Sequence, residues 1–141
     1  LNKDAIRHAL FEPRDIEYST EQDDFCMEIM LQSAACLFRK DPDRVIFLDG
    51  RTFSRRYQID RVIEFANRLG QPWRILECTC SDATAKARLD KASGHPAGNR
   101  GYGLYLEVKR RFEPITLPKL VVNTDRPLNL CIAAALQALK T

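Results

Sequence analysis

Three short runs of nearly unbroken apolar residues, 45–48, 73–80 and 119–123, are separated by segments whose apolar residues recur at helical spacing. Unbroken rather than alternating apolarity suits a strand covered on both faces, as in a parallel sheet. Strands that alternate with helices build a parallel sheet with helices on its two faces. Residues 3–11 read as a short helix, and residues 12–19 as a charged connection. Ser19 and Thr20 offer a cap, with Glu21 and Asp23 in the first turn, for a helix that runs to about Lys40 and stops at Asp41-Pro42-Asp43. Its two adjacent stripes, Phe25, Ile29, Cys36 and Cys26, Met30, Leu37, predict a wide buried face. Residues 56–69 follow with Ile59, Val62, Ile63, Phe65, Ala66 and Leu69 on one side and Gly70 as the stop. Ser81-Asp82 cap a helix to about Ala92, residues 104–112 form another, and residues 127–140 form the last, with Leu128, Cys131, Ile132, Ala135, Leu136 and Leu139 expected inward. The α/β order α, α, β, α, β, α, loop, α, β, α describes one domain over 1–141.

Composition narrows the function. The 141 residues are 45% hydrophobic, enough for one core, and the net charge of +3 is too small to mark a nucleic-acid binder. No run of about 18 apolar residues is present, so no membrane span is expected, and the polar start does not read as a signal peptide. The five cysteines are odd in number, and Cys78-Thr79-Cys80 on a strand points its two thiols to opposite faces, against a shared metal or a disulfide. Buried, reduced thiols in a cytoplasmic protein are the expectation.

Parallel sheets bind ligands at the carboxyl ends of their strands. Asp49, residues 79–82 and residues 124–126 fall at such ends. Asp49 can hold a magnesium-bound water or orient a hydroxyl, although Asp-Gly is also a common turn pair. Asp4 and Arg7 share a helix face, where a carboxylate can take a hydroxyl proton and a guanidinium can clamp an anion; by spacing alone an ordinary surface ion pair is the plainer account. Arg51, Arg55 and Arg56 beside Asp49 suit a phosphate or carboxylate on a substrate, with a solvated first turn as the plainer account. Arg88 and Lys91 precede a loop, residues 93–103, that holds four glycines, His95 and Arg100 and reads as a lid over phosphates within a region of about 88–112.

Residues 1–7 (LNKDAIR), 45–50 (VIFLDG), 87–89 (ARL), 112–114 (FEP) and 121–125 (VVNTD), in this order, resemble the small P-loop kinases grouped with polynucleotide kinase, zeta toxins and AAA-type predicted kinases. The resemblance covers nearly all of the chain. It implies a three-layer, nucleoside-kinase-like P-loop NTPase fold that binds ATP and Mg2+ and phosphorylates a hydroxyl of a small molecule or nucleic-acid end. It implies Asp4 as general base, Arg7 as acceptor clamp, Asp49 as second acid and magnesium partner through water, and Arg88 as a phosphate-contacting lid residue. The position four residues after Arg88 is Ala92, where the family often has a second arginine; Lys91 or Arg100 are the substitutes. Asp125 and Arg126 fall where the family approaches the nucleotide.

The phosphate-gripping loop G-x-x-x-x-G-K-[ST] does not occur in 1–141. The resemblance places that loop, and the central first strand, upstream of Leu1. The chain by itself is therefore not expected to bind ATP tightly. A non-catalytic module of the same fold, or an inactive fragment, is the alternative expectation.

Overall fold

The computed structural model describes residues 1–91 and 99–139, which divide between two compact units. The first unit holds α1 (Lys3–Leu10), a single 3-10 turn (Pro13–Asp15), α2 (Thr20–Lys40) and α3 (Arg56–Arg68). The second holds β1 (Leu76–Thr79), α4 (Asp82–Lys91), α5 (Tyr102–Arg110), β2 (Leu120–Asn123) and α6 (Leu128–Leu139). The lid loop expected at 93–103, with His95, lies largely outside the described residues.

In the first unit α1 packs on α2. Asn2 caps α1 by accepting from Ala5 N at 3.0 Å, and Ser19 caps α2 by accepting from Gln22 N at 3.2 Å. The face that α1 buries is Lys3, Asp4 and Arg7, a helical stripe made of charge rather than of apolar side chains. The apolar core comes from α2 and α3: Cys26, Met27, Met30, Leu31, Ala34, Ile59 and Ala66. Of the two stripes expected on α2, the one through Cys26 and Met30 is buried. Phe25 of the other is half exposed and meets the Phe11 ring edge-on, 6.0 Å between centroids, and Cys36 is exposed. Gly70, with φ of 66°, ends α3 as its sequence position predicts.

The strand expected at 45–48 does not form. Phe47 O accepts from the Leu1 amino group at 2.8 Å, Asp49 N donates to Leu1 O at 2.9 Å, and Asp49 O accepts from Lys3 N at 2.9 Å. These bonds leave one parallel bridge, Asn2 to Asp49, and no ladder. Val45 and Phe47 are 63% and 55% exposed, so the apolar run lacks the double cover that its composition implies.

In the second unit β1 and β2 pair in parallel, Leu76 with Leu120 through Thr79 with Asn123, a two-stranded α/β arrangement flanked by helices. Val122 and Ala85 are its buried apolar residues among those described. The inward face expected of α6 is corrected. Leu128, Ile132 and Leu136 are exposed, and Cys131, Ala135 and Leu139 are intermediate, because α6 packs on β2 along that narrower line. The cysteines are free thiols, but only Cys26 is buried; Cys36 and Cys78 are exposed, and Cys80 and Cys131 are intermediate.

Candidate functional site

The turn at Asp49-Gly50 lies directly on the start of α1. Gly50 has φ of 87°, and a Cβ there would stand 2.9 Å from Lys3 N and 3.2 Å from Asp4 N. Only glycine permits that approach without strain. Asp49 is exposed and accepts from Asn2 Nδ2 at 3.0 Å through Oδ2. The backbone thus brings Asp4 and Asp49, distant in sequence, to one corner of the first unit.

Asp4 is buried there with Arg7, whose Nη1 donates to Asp4 Oδ1 at 2.9 Å. Arg7 Nη2 and Lys3 Nζ both donate to Asp23 Oδ1 on α2. The Tyr18 ring lies against the guanidinium, 5.2 Å from Cζ to the centroid. Arg51 is held by the neighbouring residue of α2. Its Nη1 is 2.6 Å from Asp24 Oδ1, and its Nη2 donates to Tyr57 Oη at 3.5 Å. Tyr57 Oη in turn donates to Asp24 Oδ2 at 3.3 Å. Nε of Arg7 and Nε of Arg51 are buried without a hydrogen-bond acceptor among the described residues. Arg55 stands at the N-cap of α3, where its N–H donates to Gln58 Oε1 at 3.2 Å, and Arg56 pairs with Asp60 at 2.6 Å on the outer face.

Asp4, Arg7, Asp49, Arg51 and Arg55 therefore all fall in the first unit. Lys3, Tyr18, Asp23, Asp24 and Tyr57 were not among the site residues expected from the sequence. Asp23 sits in the first turn of a capped helix, where an acidic residue is ordinary and carries no further signal, and Asp24 follows it directly.

The carboxyl ends of β1 and β2 form the second cluster. Arg88 of α4 donates from Nη1 to Thr124 Oγ1 at 2.9 Å and from Nη2 to Thr124 O at 2.6 Å. Thr124 Oγ1 donates to Thr79 O at 2.9 Å, which ties the strand ends together. Asp125 accepts from Ser81 N at 2.9 Å, and Thr84 together with Ser81 holds its carboxyl below the usual range. Arg88, Thr124 and Asp125 are thus gathered at one place, each with a partner inside the unit. Arg100 and Arg126 are exposed. A shallow cleft lined by Arg74, Leu76, Lys119, Leu120 and Leu139 lies at the opposite, amino ends of the strands.

Among the described residues no group of three or more metal-ligating side chains is assembled. The exposed carboxylate of Asp49 nonetheless fits magnesium, which keeps most of its waters and takes one or two carboxylates with substrate phosphates. No described helix is long and apolar enough to cross a membrane.

Neither the curated proteins nor the solved structures yield a match to this chain. The sequence profile of the AAA domain family, which is of the P-loop NTPase type, matches residues 1–100 of the 141. With that share of its length matched, the chain belongs to the AAA domain family.

Proposed function

We infer that this chain belongs to an ATP- and magnesium-dependent phosphotransferase with a three-layer, nucleoside-kinase-like P-loop fold. Membership of the AAA domain family, which includes P-loop kinases, supports this reading. The observation that carries the reading is the seating of Asp49-Gly50 on the first turn of α1, which brings two carboxylates to one corner.

In this reading Asp4 accepts the proton of the acceptor hydroxyl as that oxygen attacks phosphorus. Asp49 holds magnesium through a water. Bound MgATP supplies the phosphoryl group and part of the charge neutralisation. Arg55, and Arg51 on release from Asp24, bind an anionic group of the acceptor, which is a small molecule or a nucleic-acid end. On the second unit Arg100 and Arg126 offer cations to the nucleotide, Asp125 shapes the turn beside it, and Arg88 reaches phosphate when it releases Thr124.

The test is transfer of labelled γ-phosphate from ATP by the intact protein to a panel of sugars, nucleosides and 5′-hydroxyl oligonucleotides. Magnesium-dependent labelling of one acceptor class is the expected result. No transfer to any of them, with no ATP hydrolysis, overturns the reading in favour of a non-catalytic module.

A further inference from the structure

The buried face of α1 is built from charge, and a charge out of water is tolerated only when paired and hydrogen-bonded. Lys3, Asp4 and Arg7 are 6%, 7% and 1% exposed. Their pairing is not a set of separate bridges. Lys3 Nζ is 3.3 Å from Asp4 Oδ1 and also bonds Asp23 Oδ1. Arg7 bonds Asp4 Oδ1 at 2.9 Å through Nη1 and Asp23 Oδ1 through Nη2. Two carboxylates and two cations close a ring of alternating sign, neutral in sum, that joins α1 to α2.

Both cations meet Asp4 at Oδ1, and both meet Asp23 at its own Oδ1. Tyr18 lies against the guanidinium from the α1–α2 connection. Cys26, fully buried on α2, lies near the ring; burial pushes its thiol up while Arg7 and Lys3 pull the other way. With Asp23 present each cation divides between two carboxylates. Without it both cations would have Asp4 as their one carboxylate within this ring.

We propose that Asp23, together with Lys3 and Arg7, is a positioning frame for Asp4. The frame holds Oδ1 and leaves Oδ2 as the oxygen that takes the acceptor proton. Arg7, enclosed on all sides, acts through Asp4 and not by touching the acceptor. Asp23 touches neither substrate. This proposal rests on the reading of Asp4 as general base, so its test has one arm that does not depend on turnover.

The first arm is steady-state kinetics of the intact protein with Asp23→Asn and Asp23→Glu. A small displacement of a reacting group costs up to about 10²-fold in rate. Asp23→Asn should lower kcat by about 10- to 10²-fold with acceptor KM within about twofold, and Asp23→Glu should recover most of the loss. An unchanged kcat, or a rise in acceptor KM alone, overturns the proposal, since the latter means that Arg7 meets the acceptor. The second arm is urea unfolding of Asp23→Asn, Lys3→Met and the double variant. The double variant restores charge balance, so its midpoint should fall by less than the sum of the single losses. Losses that simply add overturn the ring as a coupled unit. Non-additive losses in a protein that moves no phosphate would remove the proposed function while supporting the ring.

Discussion

Gly50 sets how closely the Asp49 turn can lie on α1, and the comparison with Gly70 isolates that role. Both residues have positive φ, which L side chains adopt at a cost. Only at Gly50 would an added Cβ also meet backbone, at 2.9 Å from Lys3 N; at Gly70 there is open space. Gly50→Ala should therefore cost about 1–3 kcal/mol or more, and Gly70→Ala only about 1 kcal/mol. Urea midpoints of the two variants check this, and equal losses would mean that the turn does not bear on α1. Asp49 itself, exposed and bonded to Asn2, should act through magnesium. Asp49→Ala should slow turnover and raise the magnesium concentration for half-maximal rate, and an unchanged magnesium dependence would return Asp49 to a turn residue. At this scale the sequence offered Asp4, Arg7, Asp49 and Arg51 as candidates through their types and spacing, and the fold gathers them in the first unit. It hid Asp23 and Asp24, because a partnership across two helices leaves no local pattern.

Helix existence and helix ends were legible because caps and stops are local: Ser19 and Gly70 act where their types predict. Burial was not. The periodicity of α6 identifies an apolar face, but nothing in that period says what covers it, and Leu128, Ile132 and Leu136 stand exposed. The run at 45–48 failed as a strand for a related reason, since a strand is defined by its partners. The link between α4 and α5 is an element-scale tie that pH can cut. Asp82 accepts from Lys109 and, at 2.7 Å, from Tyr105 Oη, and these two hold its carboxyl below the ordinary range. The same contact raises Lys109 and Tyr105. A lowered carboxyl contributes stability that is complete above its unfolded value, about 3.9, and is lost as pH falls through the lower folded value. The raised Lys and Tyr contribute below their unfolded values, about 10, and lose that contribution as pH rises through the raised ones. Wild type should thus exceed Asp82→Asn in unfolding midpoint across the neutral range and converge with it below about pH 3.9. A gap that persists at pH 2 would mean the tie does not depend on the carboxylate.

The chain carries two clusters, one at the Asp49 turn of the first unit and one at the strand ends of the second, and each is described on its own terms. The AAA domain profile agrees with the coarse class over residues 1–100, which hold three of the five motifs, residues 1–7, 45–50 and 87–89; the motifs at 112–114 and 121–125 lie beyond the match, and the finer kinase groups are not reached by it. The chemistry assigned to the chain turns on Asp4, which is buried, ionically framed and close in the fold to the Asp49 turn. Its direct test is the turnover number of Asp4→Asn in the intact protein, measured beside ATP affinity. The substitution keeps the shape and removes the proton acceptor. The account predicts a loss in kcat of about 10²–10⁴-fold with ATP affinity nearly unchanged. An unaffected kcat would contradict it and take the general-base role away from Asp4.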